Sequence, residues 1–184
     1  IDGNSIINRA FYGVRPLTTK SGKHTNAIYG MINIISRQLN AIKPDYAAVA
    51  FDVKHPTFRH EMFGEYKAGR HPTPPELLSQ FDDAKECVSL MGVDVLTLPG
   101  WEADDILGTF AKTCEDTGHT CMIATGDRDS LQLIDENVHI KLVLTNVLSY
   151  NEEVFITLID VVSIGWSALL VILTIMYQND YTLK

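Results

Sequence analysis

The feature that most constrains the fold is a regular alternation of short apolar runs with longer segments of helical periodicity. The short runs predict buried strands at Ile1, Tyr46–Phe51, Val93–Leu98, Cys121–Thr125 and Val138–Leu144. The longer segments predict helices at Asn4–Tyr12, Thr25–Ile42, Pro74–Met91 and Glu102–Thr117, with a short helix after GDRDS. This alternation predicts a three-layer α/β fold, in which a mostly parallel central sheet carries helices on both faces.

The spacing within the last two long helices predicts which side of each is buried. We expect the third helix to bury Leu77, Phe81, Ala84, Val88 and Met91, and the fourth to bury Ile106, Phe110 and Cys114. The segment Val53–Thr73 shows neither periodicity and is too long for an ordinary connection, which indicates a functional segment.

Acidic residues follow the predicted strands, at the point where each strand ends. Because ligands bind outside the carboxyl ends of the strands in such sheets, we expect the acids to meet at one edge. The set consists of Asp2, Asp52, Glu102, Asp104, Asp105, Asp127 and Asp129.

Taken alone, each acid has an ordinary structural explanation as a turn residue, a helix cap or a first-turn acid. The helix dipole stabilises a first-turn acid by about 0.3 to 1 kcal/mol. Two like charges about 4 Å apart, however, cost roughly 4 kcal/mol at a surface-type dielectric. A hard divalent cation offsets several such pairs, and oxygen ligands alone favour Mg²⁺ or Mn²⁺.

The spacing of the three central acids also predicts how each of them takes part in metal binding. Glu102 and Asp105 are three residues apart and share a helix face, whereas Asp104 points elsewhere. We therefore expect Asp104 to ligate through water or to serve a second ion. Two ions about 3.5 to 4 Å apart are the usual device for in-line displacement at phosphorus, which needs no Ser, Cys or His nucleophile.

The charge balance is uneven along the chain. The formal net charge of -8 argues against a general nucleic-acid binder, which is usually basic. From Trp101 to Glu136 there are nine acids and two bases, whereas the basic segment, Lys54–His71, has four bases and two acids. An acidic pole beside a basic segment suits a metal site next to a polyanion-binding arm, although ordinary surface variation also produces such patterns.

Several other classes of site find no support in the sequence. Neither GxxxxGK[ST] nor a helix-opening GxGxxG is present, so we expect no nucleotide cofactor. The three cysteines have no CxxC spacing, which favours a reduced, intracellular protein without a zinc site. The six histidines form no convincing catalytic triad and are interpreted as surface or core residues.

Seven stretches, in chain order, resemble one family closely. They are DGNS at Asp2–Ser5, RAFY at Arg9–Tyr12, AVAFD ending at Asp52, FRHE at Phe58–Glu61, EYKAGR at Glu65–Arg70, GWEADD at Gly100–Asp105 and TGDRD at Thr125–Asp129. Together they resemble the N-terminal 5′–3′ exonuclease domain of bacterial DNA polymerase I, a member of the flap endonuclease group with a PIN-like fold. The resemblance runs from Ile1 to about Phe155, which we take as one domain.

The resemblance implies a catalytic set. All seven acids match the metal-site carboxylates of the family, which hold Mg²⁺ or Mn²⁺, two ions in the complete family site. Lys67 and Arg70 match the basic residues of an arch over the active site that engage the scissile phosphate. With Asp104 and Asp105 they form the expected catalytic residues.

The resemblance also implies how DNA is held. Tyr66 matches an aromatic position that contacts the terminal nucleotide, where a ring stacks on the base while Lys67 and Arg70 meet phosphates. Arg9 matches a phosphate-steering residue on the first helix, and we add Arg59 to the DNA-binding set. For the three basic residues of the arm, a solvated loop face remains the alternative.

The implied function is metal-dependent hydrolysis of phosphodiester bonds near DNA 5′ ends, as in primer removal and repair. The implied substrate is a 5′ flap, or a nicked or frayed duplex, and the implied partner is a covalently linked polymerase domain. We expect a monomer located in the bacterial cytoplasm, associated with the nucleoid.

The stretch 156–184 departs from the family. Val161–Tyr177 carries no charge, and the GDxSDN motif and helix–hairpin–helix of the family do not follow. We interpret the stretch as an out-of-frame or chimeric tail. The second alternative is an apolar C-terminal helix or strand, and the third is a membrane anchor. Because two family acids and the duplex grip are then missing, we expect weak or absent nuclease activity. The start at Ile1, without Met or a secretory signal, also predicts an incomplete N-terminus.

Two further functions fit the same residues. A PIN-type ribonuclease shares the acidic edge and the fold but usually lacks a long Tyr-Lys-Arg arch. A non-catalytic, structure-specific DNA-binding remnant would bind flaps without cleaving them.

Overall fold

The computed structural model describes residues 1–53, 55–69, 71–143 and 153–156. Its helices are α1 (Gly3–Gly13), α2 (Asn26–Ile42), α3 (Phe58–Met62), α4 (Pro75–Leu78), α5 (Phe81–Leu90) and α6 (Ala103–Thr117), with a 3₁₀ helix at Arg128–Leu133. Its strands are β1 (Ala48–Ala50), β2 (Asp94–Leu96), β3 (Cys121–Thr125), β4 (Val138–Val143) and β5 (Glu153–Ile156).

The strands form one edge-to-edge series that passes through the N-terminal residues. β1 pairs in parallel with β2, and β3 pairs in parallel with β4. Asp2 bridges in parallel to Ala50, and its backbone N–H donates to the carbonyl of Ala124 at 3.0 Å. Ile1–Asp2 therefore lies between β1 and β3, where the sequence predicts a strand end. Among the five strands that the structure describes, β5 alone runs antiparallel, against β4.

Two hydrophobic cores lie on opposite faces of this sheet. Successive strand residues alternate between them: Val49 and Phe51 pack with α1, α2 and α5, whereas Ala50 packs with α6. Likewise, Ala124 belongs to the first core and Ile123 to the second. Alternation of this kind is what a strand buried on both sides requires. The three-layer α/β fold predicted from the sequence is confirmed.

The predicted helix at Pro74–Met91 is wrong in one respect, because it is broken between Leu78 and Phe81. At the break lies Gln80, which is fully buried. Its Oε1 accepts from the backbone N–H groups of Ala27 at 2.8 Å and Ile28 at 3.2 Å. A side chain from one helix thus satisfies free donors at the start of another, where Thr25 makes no side-chain cap.

The predicted buried face of α6 is also wrong. Ala103, Leu107 and Ala111 are buried, whereas Phe110 is 49% exposed. Ile106 is only partly buried. Small alanine side chains let the helix lie close to the sheet, so the largest apolar residues do not mark its inner face.

Some sequence predictions lie outside the described residues. These are Lys54 and Arg70 of the basic segment, the last residue of the predicted fifth strand and the apolar stretch 161–177. Within the described ranges, no helix has the length and apolar character needed to span a bilayer.

Gly3 offers a test of how tightly α1 is seated on the sheet. A Cβ at this position would lie 2.7 Å from Cε1 of Phe51 and 2.8 Å from the backbone oxygen of Ala50. We expect Gly3→Ala to lower the free energy of unfolding by roughly 1–3 kcal/mol, measured by urea denaturation. A Cβ at Gly64 meets nothing within 4 Å. Gly64→Ala is therefore the control, and an equal loss in both variants would contradict the tight seating.

Candidate active site

Asp2 is a buried acid held by neutral donors at the start of α1. Its Oδ1 accepts from the backbone N–H of Ser5 at 2.9 Å, which makes it the N-cap of the helix. Its Oδ2 accepts from Oγ1 of Thr125 at 2.7 Å. Burial raises the pKa of Asp2 above its ordinary value, while these two hydrogen bonds act in the opposite direction.

Asp52 lies just beyond β1 and connects two helices. Its Oδ1 accepts from the backbone N–H of Ala103 at 2.7 Å, at the start of α6. Its Oδ2 accepts from Nδ2 of Asn4 at 2.8 Å, and its own N–H donates to Oδ1 of Asn4 at 3.1 Å. This two-way contact fixes the carboxylate of Asp52 beside the start of α1, close to Asp2.

Asp104 lies near other acids, and its predicted orientation away from the face shared by Glu102 and Asp105 stays a prediction. Partial burial, the largest cause, and the negative charges of Asp2, Asp127, Asp52 and Glu102 together raise its pKa from 3.8 to about 6. Such a shift requires these carboxylates to lie near one another.

Asp127 and Asp129 lie on the loop after β3. Asp127 caps the 3₁₀ helix, since its Oδ1 accepts from the N–H of Asp129 at 3.0 Å. The N–H of Asp127 donates to Oγ1 of Thr125 at 2.9 Å, so one buried hydroxyl connects this loop with Asp2. Arg9 donates to the carbonyl oxygen of Gly126, which ties α1 to the same loop.

The side chains of Glu102 and Asp105, which the sequence predicts to share one side of the helix, both contact the basic segment. Two guanidinium nitrogens of Arg59 each lie 2.7 Å from an oxygen of Asp105. Nζ of Lys67 lies 2.6 Å from Oε1 of Glu102, and the hydroxyl of Tyr66 donates to Oε2 at 3.1 Å. The hydrogen bonds from Arg59 hold the pKa of Asp105 below its ordinary value.

The basic segment is anchored to the chain just before α6. The N–H of Phe58 donates to the carbonyl of Gly100 at 3.2 Å, and the rings of Phe58 and Trp101 are 5.0 Å apart. A cavity of about 320 Å³ lies between the segment and the acids, bounded by Asp52 and Glu102 among others. A larger cavity, about 560 Å³, lies under Trp101 and is lined mainly by apolar side chains.

The seven predicted acids thus have different surroundings. Asp2, Asp52, Asp127 and Glu102 act on Asp104 through their charges, and Glu102 and Asp105 also pair with cations. Asp129 is exposed and makes its described contact through its backbone. Within the described ranges, no three His, Cys, Asp or Glu side chains lie close enough to hold one ion as they stand.

Of the predicted DNA-binding residues, the structure places Arg59, Tyr66 and Lys67 against the acids and Arg9 against the loop after β3. Arg70 lies outside the described residues. The sequence analysis missed Asn4 and Thr125, the neutral residues that hold Asp52 and Asp2. The only signal for them is their place within the DGNS and TGDRD stretches.

Comparison with known families gives one match that covers most of the chain. The family described as 5′-3′ exonuclease, N-terminal resolvase-like domain, matches residues 1–159.

Similar curated proteins are DNA polymerases of bacteria. DNA polymerase I of Caldicellulosiruptor bescii is 42% identical over 154 residues, which cover 84% of this chain and 18% of the relative. The thermostable DNA polymerase I of Thermus aquaticus is 42% identical over 142 residues, covering 76% of this chain and 17% of the relative. The chain therefore spans less than a fifth of the length of these relatives.

Similar solved structures come from bacteriophage T5. A 5′-exonuclease with bound divalent zinc ions has a TM-score of 0.61 and 20% identity, over 76% of this chain and 52% of that one. A flap endonuclease in a pseudo-enzyme-product complex with DNA and metal ions has a TM-score of 0.56 and 18% identity, with the same coverage. At this level of identity the likeness supports the shared fold.

Because the pKa of Asp104 is raised, we predict that a neutral side chain at this position stabilises the fold in a pH-dependent way. Since folding raises this pKa from 3.8 to about 6, the ionised carboxylate destabilises the fold. The cost is absent below about pH 4, grows as the pH rises and is complete above about pH 6. In EDTA, we expect Asp104→Asn to raise Tm at pH 7 and to leave Tm unchanged near pH 3.5.

The matched control is Asp94→Asn, at an exposed acid on β2. An equal rise in Tm for Asp94→Asn, or a gain from Asp104→Asn that persists at low pH, would contradict the repulsion among the acids.

Proposed function

We propose, because the chain belongs to the family of the 5′–3′ exonuclease N-terminal resolvase-like domain, that it hydrolyses phosphodiester bonds near DNA 5′ ends. In this proposal it acts as a divalent-metal-dependent 5′–3′ exonuclease and flap endonuclease. In the whole protein, the domain would be linked to a polymerase, as in its bacterial relatives.

The observation that carries the proposal is the repulsion among four carboxylates at one edge of the sheet. Asp104 has its pKa raised to about 6, partly through the charges of Asp2, Asp52 and Asp127. A fold that holds such a group in place stores unfavourable charge, which a bound cation offsets. The donors are all carboxylate oxygens, which fits a hard ion such as Mg²⁺ or Mn²⁺. By this chemistry the residues fit the ion that the family implies.

The chain's own residues divide the remaining work. Asp2, Asp52, Asp104 and Asp127 would hold the ions, joined by Glu102 and Asp105 once these release their cations. Thr125 and Asn4 keep Asp2 and Asp52 oriented. When bound, divalent ions supply an activated water and stabilise charge on the leaving oxygen in displacement at phosphorus.

The basic segment would meet the DNA. Lys67 and Arg59 supply positive charge for the phosphates beside the reacting one. Tyr66 contacts the same carboxylate, Glu102, and offers a ring on which an unpaired terminal base can stack. The ring of His60, 5.2 Å from that of Tyr66 and nearly perpendicular to it, keeps the tyrosine in position.

The proposal is tested by Mg²⁺-dependent release of nucleotides from a 5′-labelled flap duplex. We expect weak cleavage that EDTA abolishes and that Asp104→Ala lowers by at least about 100-fold, because the site loses a charge-holding acid. The control is Asp116→Ala, which removes an exposed acid near the other end of the same helix and should leave the rate unchanged.

Two results would contradict the proposal. Cleavage of single-stranded RNA with no effect on DNA flaps would assign the site to a ribonuclease. Tight flap binding with no Mg²⁺-dependent cleavage would leave a DNA-binding module.

A further inference from the structure

We infer that Lys67 and Arg59 hold Glu102 and Asp105 in the absence of ligands, and that metal and DNA phosphate replace these ion pairs together. When a divalent ion binds the two carboxylates, Lys67 and Arg59 release them and bind DNA phosphate instead. The two ligands would therefore favour each other's binding. The inference rests on the proposed function and specifies how the two halves of that site communicate.

Both oxygens of Glu102 are engaged by the basic segment. Oε1 lies 2.6 Å from Nζ of Lys67. Oε2 accepts from Tyr66 at 3.1 Å and lies 3.6 Å from a guanidinium nitrogen of Arg59. The side chain of Glu102 is only 9% exposed, so solvent screens these contacts weakly.

Both oxygens of Asp105 are engaged as well. Arg59 contacts them in a bidentate arrangement, with both distances 2.7 Å. One of these oxygens also accepts from the backbone N–H of Glu102 at 2.9 Å. A planar guanidinium matched to a carboxylate is among the strongest arrangements of this kind. An ion could use these oxygens only if Arg59 moved away.

The backbone of the basic segment is held in an uncommon conformation at the contact. Lys67 has φ of 62°, in the left-handed region that residues with a side chain seldom adopt. Such a conformation persists where surrounding contacts compensate for it, and it is concentrated at switching and ligand-binding segments. Here the ion pair of Lys67 with Glu102 is the compensating contact, so its loss would favour a different path of the segment.

The exchange follows from repulsion between two cations that would share one carboxylate. A Mg²⁺ ion binds carboxylate oxygen at about 2.0–2.1 Å, so it cannot share Oε1 of Glu102 with an ammonium group at hydrogen-bonding distance without strong repulsion. A phosphate, in turn, competes with Glu102 for Lys67. Each ligand therefore frees the group that the other needs, and this coupling must be reciprocal for binding free energies.

The metal side is tested by calorimetric titration of Mn²⁺ into the DNA-free chain. Lys67→Gln should bind Mn²⁺ roughly three- to tenfold more tightly than the wild type, because Glu102 no longer has to release a cation. Lys67→Arg, which keeps the charge, should bind within about twofold of the wild type.

The matched control is Lys85→Gln, which removes the same charge from a lysine lying over the ring of Phe51, 5.3 Å from its centroid. Its Mn²⁺ affinity should stay within about twofold of the wild type, since no carboxylate is released. An equal gain in Lys67→Gln and Lys85→Gln, or no gain in Lys67→Gln, would overturn the inference.

The DNA side is tested by fluorescence anisotropy of a labelled 5′ flap in EDTA. Glu102→Gln frees Lys67, whereas Asp104→Asn removes the same charge from an acid with no ion pair among the described residues. We expect the fold decrease in the Kd for the flap to be at least about three times larger for Glu102→Gln than for Asp104→Asn. Equal effects of the two variants would overturn the inference.

Neither titration involves turnover, so a chain that fails to cleave DNA still tests the exchange. Thermal unfolding of each variant shows that it is folded. A variant that does not fold is replaced by Arg59→Gln, for which the same gain in Mn²⁺ affinity is expected and its absence is contradictory.

Discussion

The structure depends on mutual repulsion among carboxylates that the fold itself brings to one edge. Most of these acids accept a structural hydrogen bond: Asp2 and Asp127 cap helices, and Asp52 accepts from the first N–H of α6. Glu102 and Asp105 form a capping box on that helix. The structural and the functional explanations of these acids are therefore both valid, since the hydrogen bonds are what keep like charges close.

The basic segment supplies the charge that the acidic edge lacks. Arg59 and Lys67 come from a stretch between β1 and α4, yet they reach acids 46 and 35 residues away along the chain. The aromatic contact between Phe58 and Trp101 brings this stretch to the start of α6. A stretch whose sequence shows no clear periodicity thus contains the short helix α3. Its position is held by a backbone hydrogen bond, a ring contact, the hydrogen bond from Tyr66 to Glu102 and its ion pairs.

Local patterns predicted the parts of the fold that local physics decides. The strand at Cys121–Thr125 and the helix at Glu102–Thr117 were placed within one residue, because apolar periodicity and Gly118 define them. The break at Gln80 could not be predicted, because it serves a different helix through contacts 53 residues away. Strand β5 was not predicted either, since an antiparallel edge strand departs from the alternation of strands and helices on which the prediction rests.

The same distinction applies to the site. The acids could be predicted from their place after the strands, but the residues that each one contacts could not. Asp105 pairs with Arg59 and Asp104 lies near Asp2, and both of these neighbours are remote in sequence. Similarly, Thr125 connects Asp2 with the Asp127 loop through one hydroxyl, which a pattern of residue types does not reveal.

The central claim is that the acidic edge is a binding site for divalent metal. Anomalous diffraction from a crystal of the intact chain soaked in MnCl₂ tests it most directly. The account predicts a strong anomalous peak among the carboxylates of Asp2, Asp52, Asp104 and Asp127, with Lys67 displaced from Glu102 wherever an ion contacts that residue. A well-ordered acidic edge without a peak, at a Mn²⁺ concentration that supports cleavage in solution, would contradict it.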